Sequence, residues 1–270
     1  IESRCIVTVN GVTQLPQNAA PETINNVITN SKDAEGNVVK DVKLALPSDS
    51  AFELNNGLAH EGDKSRKVTI VGDGTQTVDV ITKAVSAENG QLNYQRGSTF
   101  TFENVKVENG TGTYDGIVCD ELIYRNCIIK GVTTLYGKAT FINCTFENTM
   151  ADQYSIWTWG GTDVKFEGCT FNTNGKAILL FGEEKTTKLT VTGCRFNDRN
   201  NGTAGKAAIE IGEANYGKHN NFTVVISDSE VVTGFAINSA GTNTGSKLWA
   251  NKNSMGPEHL SVTIDGTKVL

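Results

Sequence analysis

Phe141-Ile142-Asn143-Cys144-Thr145-Phe146 is followed 25 residues later by Phe166-Glu167-Gly168-Cys169-Thr170-Phe171, and 25 further on by Val191-Thr192-Gly193-Cys194-Arg195-Phe196. The shared pattern is aromatic or β-branched, any, Asn/Gly, small, any, apolar. Working outward, Phe102-Glu103-Asn104-Val105-Lys106-Val107 and Tyr124-Arg125-Asn126-Cys127-Ile128-Ile129 fit it as well. Weaker copies start at Ile226 and Ile264, and Ile70-Val71-Gly72-Asp73-Gly74 reads as an early one. Between copies lies a second pattern, small-Ile-any-any with Gly soon after. It is seen at Ser155-Ile156-Trp157-Thr158-Trp159-Gly160, Ala177-Ile178-Leu179-Leu180-Phe181-Gly182, Ala208-Ile209-Glu210-Ile211-Gly212 and Ala236-Ile237-Asn238-Ser239-Ala240-Gly241.

The two patterns alternate along the chain. Copies of the first recur every 17 to 38 residues or so, in the range of stacked repeat architectures. A short strand cannot bury its apolar face alone. Coils stacked at about 4.8 Å pair every backbone group with the next coil and align like residues into columns. The spacing therefore predicts an all-β, right-handed parallel β-helix with at least two strands per turn and loops of variable length between them. Phe102, Tyr124, Phe141 and Phe166 should form an aromatic column. Asn104, Asn126 and Asn143 should form an Asn ladder at a left-handed turn, with Gly168, Gly193 and Gly266 at the same place. Cys127, Cys144, Cys169 and Cys194 then share one position and read as buried thiols, since reduced Cys behaves as a small hydrophobe. Cys5 and Cys119 stand outside that column, and the sequence leaves their state open.

Residues 19–31 read as a short amphipathic helix, with Pro21 near its start and Ile24, Val27 and Ile28 on one face. A helix so early would cap the first coil. The whole chain, 1–270, is expected to be one β-helix domain, with 1–66 as cap and first strands and 67–270 as stacked coils. It starts at Ile1 and ends in strand pattern, which reads as a piece of a longer protein.

These motifs resemble the right-handed β-helix, or pectate-lyase-like, superfamily over roughly residues 6–270. The resemblance implies a secreted or cell-surface bacterial protein. The superfamily spans polysaccharide lyases, glycoside hydrolases, epimerases, phage tailspikes and non-catalytic surface proteins, so the fold alone does not choose a function.

Composition narrows the choice. A net charge of −6 with no basic patch argues against nucleic acid. No apolar run is long enough to span a membrane. The sequence has no Asp-Asp pair of the kind hydrolases of this fold use. Its strand acids, Asp115, Asp120, Asp163, Glu167, Glu210 and Asp228, are scattered, and Glu183-Glu184 reads as a solvated turn. His60, His219 and His259 are not at ligand spacing, no metal or cofactor is implied, and no catalytic residue can be named. Arg125 and Arg195 read as outward, solvated charges.

The surface feature that stands out is Tyr154-Ser155-Ile156-Trp157-Thr158-Trp159. Strand alternation turns Ile156 inward with Ile178, Ile209 and Ile237, and turns Trp157 and Trp159 outward. Leu179 and Glu210 occupy the equivalent outward place on later coils. Exposed indoles beside an acid suit sugar stacking, so Tyr154, Trp157, Trp159 and Glu210 are the candidate ligand-binding residues. The competing reading is that a loop covers the rings as a satellite core. The expected function is a non-catalytic, adhesin-like binder of a glycan or of a host or cell-surface protein, extracellular or on the bacterial surface. The alternative is a carbohydrate-active enzyme, a polysaccharide lyase or glycoside hydrolase. Polar insertions at 197–206, 213–221 and 241–258 would carry specificity.

Overall fold

The structure, a computed structural model, describes residues 6–55, 65–81, 91–110, 116–150, 153–158, 161–174, 176–181, 186–199, 208–211, 221–231, 249–251 and 259–269. The chain divides into two compact units, Ile1–Lys130 and Gly131–Leu270.

In the N-terminal unit a first sheet begins with the antiparallel pair Val7–Val9 and Val12–Gln14. It continues in parallel through Asp41–Ala45, Lys67–Val71, Gln91–Glu103 and Gly116–Arg125. A second sheet stacks Ala51–Leu54, Thr77–Val80, Lys106–Glu108 and Ile128–Lys130, also in parallel. Each coil contributes one strand to each sheet, which is the β-helix connection the repeat predicts. Alternation sends Val42, Leu44, Val68, Ile70, Phe100 and Phe102 inward, all essentially inaccessible to solvent. Phe102 and Tyr124 stack with centroids 4.9 Å apart.

The one helix among the described residues, Thr23–Asn30, packs Ile24, Val27 and Ile28 against Ala51–Leu54. That strand ends its sheet, so its outer backbone groups need partners. The Glu53 amide donates to the Pro21 carbonyl (2.8 Å) and Asn25 Nδ2 donates to the Glu53 carbonyl (2.9 Å). The Asn55 amide donates to Asn25 Oδ1 at 3.2 Å. A buried Asn on an otherwise apolar helix face thus satisfies an exposed strand edge.

In the C-terminal unit the first sheet runs Lys138–Ile142, Asp163–Glu167, Thr186–Thr192, Asn221–Ser227 and Leu260–Ile264. The second runs Thr145–Glu147, Thr170–Thr173, Arg195–Asp198 and Glu230–Val231. A third stacks Thr133–Leu135, Ile156–Thr158, Ile178–Leu180, Ile209–Ile211 and Trp249–Asn251. Phe141 and Phe166 stack at 4.8 Å, and a second column joins Phe146, Phe171 and Phe196 at 4.5 and 4.8 Å. The rings of the two columns meet edge to face, as between Phe146 and Phe166 at 5.7 Å.

The corner between the first and second sheets is where the repeat is read most directly. Asn104, Asn126, Asn143 and Asp228 hold φ of 54°, 53°, 51° and 49°. Gly168 and Gly193 take 62° and 61° at the same place. The left-handed conformation disfavours most side chains but tolerates Asn, Asp and Gly. The residue that follows points inward: Cys127, Cys144, Cys169 and Cys194 are each 1–2% exposed, and all are free thiols. Hydrogen bonds with its thiol neighbours Cys144 and Cys194, together with burial, push the Cys169 pKa well up and disfavour its thiolate. Cys119 is likewise buried and free, its pKa raised by desolvation. Cys5 lies outside the described residues.

Two details correct the sequence reading. The copy at Ile264 is not another coil: Asp265 and Gly266, with φ of 47° and 76°, close a hairpin in which Thr267–Lys268 runs back along Leu260–Ile264. Two successive positive-φ residues are what a tight two-residue hairpin needs. The amide-to-amide bond also lies elsewhere than expected, on the outer face of the second sheet, where Asn197 Nδ2 donates to Asn172 Oδ1 at 2.8 Å.

Candidate functional site

The third sheet of the C-terminal unit carries the sequence-predicted residues. Its register aligns Ile156, Ile178 and Ile209 on the inner face, and Thr134, Trp157, Leu179 and Glu210 on the outer. The alternation is as expected, but the exposure is not. Ile178–Leu180 and Ile209–Ile211 are buried on both faces. Tyr154, Leu179 and Phe181 form a cluster over the outer face, with Trp157 packed against it and half-buried.

Within this cluster Trp157 meets Tyr154 edge-on at 6.0 Å and Phe181 at 5.8 Å. Its Nε1–H donates to Gln153 Oε1 (2.9 Å), which also accepts from the Tyr154 amide (3.0 Å). The Lys176 ammonium stands 4.9 Å from the centre of the Tyr154 ring, a cation–π distance. Thr158 Oγ1 both donates to the Phe181 carbonyl (3.0 Å) and accepts from its amide (2.9 Å), tying neighbouring coils. Tyr154 is 3% exposed and Glu210 is fully buried. Glu210 stands two coils from Trp157 with Leu179 between them, so the expected exposed acid beside an indole is not formed. The apolar outer residues explain this: they bury one another as a satellite core. Trp159, with His60, Asp115, Glu183, Glu184 and His219, lies outside the described residues. So do most of the polar insertions.

A second constellation escaped the sequence reading. In the second sheet of the N-terminal unit, Glu53, Asp79 and Glu108 are successive register partners on the outer face, followed by Lys130. Lys130 Nζ is 3.3 Å from Glu108 Oε1. Asp79 lies between the two glutamates, and its Oδ1 is buried without a hydrogen-bond partner. Desolvation, then repulsion from Glu108 and Glu53, raises its pKa. The signal was present in the sequence. Phe52-Glu53-Leu54, Val78-Asp79-Val80 and Val107-Glu108 each place an acid after an inward apolar residue. It was obscured because the first two coils lack the full hexad.

Four arginine and lysine side chains, Lys130 among them, meet a carboxylate on another coil. Arg125 pairs with Glu103 at 3.1 Å and Arg195 with Glu230 at 3.2 Å, all partly exposed, while Arg199 pairs with Glu147. His259 Nδ1 lies 3.3 Å from Asn221 Oδ1. Among the described residues no group of three or more His, Cys, Asp or Glu side chains is placed to hold a metal ion, and no helix is long and apolar enough to cross a membrane.

No curated protein and no solved structure matches the chain. A family model does, described as the right handed beta helix region, over residues 70–255. With stacked parallel sheets in both units and the family match covering most of its length, the chain belongs to the right-handed β-helix family.

Proposed function

We propose that this protein is a non-catalytic β-helix of the cell exterior or surface that binds a glycan or a surface partner beside the third sheet. One observation carries this reading. Trp157 is a half-exposed indole whose N–H is committed to Gln153 and whose flanks rest on Tyr154 and Phe181. A ring already fixed in place loses little freedom when a ligand covers it, which favours binding through apolar contact. Buried Tyr154 and Glu210 then support the platform rather than touch the ligand.

The test is a glycan array with the whole chain, repeated with Trp157→Ala and Trp157→Phe. Loss of a specific signal in the first and partial retention in the second supports the reading. A signal indifferent to both overturns it.

The column Glu53–Asp79–Glu108 favours a second reading, a carbohydrate-active enzyme, and a glycoside hydrolase rather than a lyase. Carboxyls on coils about 4.8 Å apart approach the separation of about 5–5.5 Å used by retaining glycosidases. A carboxyl with a raised pKa beside a second carboxyl is the pairing that such chemistry needs. Asp79 would be the acid, and Glu53 or Glu108 its partner. A polysaccharide panel scored by release of reducing ends tests it, since turnover abolished by Asp79→Asn would displace the binding reading.

A further inference from the structure

The first sheet of the N-terminal unit ends at Val7–Val9, which pairs on one side with Val12–Gln14. Asn10 and Gly11, with φ of 52° and 76°, make the two-residue turn between them. Such a hairpin closes with Val9 and Val12 bonded to each other. By the alternation of an antiparallel ladder, Thr8 then turns its amide and carbonyl to the free side of the strand. No hydrogen bond among the described residues meets them there. The strand is exposed on both faces. Ile6, Val7 and Val9, at 47%, 48% and 55%, are the three most exposed large hydrophobics among the described residues.

Other strands that end the first and second sheets are guarded. In the N-terminal unit Ala51–Leu54 lies against the helix, and Pro21 and Asn25 satisfy its outer backbone groups. In the C-terminal unit Glu230–Val231 and Thr267–Lys268 end the second and first sheets with an exposed carboxylate and an exposed ammonium. Covering elements and charges are the usual means of keeping a strand edge from pairing with another chain. Val7–Val9 has neither among the described residues, and positions 5–21 hold no charged side chain.

We infer that Val7–Val9 pairs with the same strand of a second copy of this chain, antiparallel about a two-fold axis at Thr8. Each Thr8 amide then donates to the other Thr8 carbonyl, and Val7 of one copy lies across from Val9 of the other. An isologous contact sets a surface against itself, so a charged edge would repel its own copy and this uncharged one does not. Two chains of net charge −6 thus meet where neither presents a charge. β-Branched side chains directly opposite one another are favourable cross-strand pairs. A strand of 3 residues buries much less than the ~1,200 Å² of a stable interface, so the dimer stands in equilibrium with the monomer. The edge is in the N-terminal unit, and the inference is independent of the Trp157 reading.

Sedimentation velocity of the whole chain between about 1 μM and 1 mM tests it. A concentration-dependent dimer is expected. Val7→Lys/Val9→Lys sets like charges directly opposite each other across the axis. Thr8→Pro removes the outward amide and leaves the backbone bonds to Val12–Gln14 in place. Each should weaken the dimer about tenfold or more, with the far-UV circular dichroism of the chain unchanged. Val38→Lys, at another exposed hydrophobic of the same unit, is the control and should leave the dimer intact. The inference is overturned by a chain that stays monomeric over the whole range, by a dimer that the edge variants leave intact, or by one that Val38→Lys weakens as much. A monomer that instead takes up a peptide copying residues 6–9 also overturns it, and gives the edge to a foreign strand.

Discussion

The second sheet of the N-terminal unit presents Glu53, Asp79, Glu108 and Lys130 in one outer column, and that of the C-terminal unit presents Glu147, Asn172 and Asn197. The backbone is alike in the two, with parallel strands in simple register, but the chemistry is opposite. Asn172 Nδ2 donates to Glu147 Oε1 (2.8 Å), Asn197 Nδ2 donates to Asn172 Oδ1 (2.8 Å), and Arg199 closes the second oxygen of Glu147. An amide carries a donor and an acceptor, so it can pass a hydrogen bond from coil to coil. A carboxylate column cannot: each ionised member only accepts, and neighbours repel. The first column resists its own stacking, and the second is held by it. A polar column that costs stability is the better place to seek chemistry, since strain of that kind persists where something else retains it.

The comparison requires that both columns sit on sound cores, which sets the largest expected effect. Phe171→Ala empties the middle of the Phe146–Phe171–Phe196 stack and should cost about 3–5 kcal/mol in urea unfolding. Val78→Ala, under the acidic column, should cost less because fewer atoms leave. An equal or larger loss at Val78 would mean that the N-terminal column is supported differently from its counterpart. Next, Asn172→Asp makes the C-terminal column resemble the N-terminal one. It loses the bond to Glu147 and adds repulsion, and should destabilise by about 1–2 kcal/mol at neutral pH. The loss should shrink as pH falls through the carboxylate range.

Asp79→Asn runs the exchange the other way. The folded-state pKa of Asp79 is raised, so between its ordinary and raised values the folded chain binds the extra proton, and stability falls as pH rises. The penalty is absent below the ordinary carboxylate range and complete above the raised pKa. Asp79→Asn should therefore stabilise by up to about 1 kcal/mol at neutral pH, reduced by solvent screening of a partly exposed group. It should do nothing at pH 3. A variant equally stabilised at both pH values would refute the repulsion account.

How far the sequence reveals all this depends on which interaction fixes each residue. The corner Asn and Gly residues and the Cys after them were legible because backbone conformation and core volume restrict those positions in every coil. The inward Ile156, Ile178 and Ile209 were legible for the same reason. Exposure of the outer face was not. Alternation tells which side Glu210 takes, but whether that side meets water depends on what packs over it, as Tyr154 and Phe181 pack with Leu179, and nothing periodic records that. The acidic column was missed because Glu53 and Asp79 belong to coils without the aromatic-Asn-Cys hexad. Their register with Glu108 follows from strand pairing across unequal loops.

The smallest expected effect concerns the two ends of the comparison, Lys130 and Arg199. Lys130 meets Glu108 with both side chains about half exposed, whereas Arg199, on the coil of Asn197, reaches past the Asn172 rung to a more buried Glu147. Lys130→Gln should cost no more than about 0.5 kcal/mol at low salt and nothing measurable in 1 M NaCl, as exposed pairs do. Arg199→Gln should cost more, up to about 1 kcal/mol, because it also frees an oxygen of the carboxylate that anchors the amide ladder. A double-mutant cycle of Arg199→Gln with Asn172→Ala should show coupling, and one of Lys130→Gln with Asp79→Asn should show little. Equal coupling in the two would mean that the acidic column is as cooperative as the amide one, and the distinction between a column that repels and a column that binds would fail.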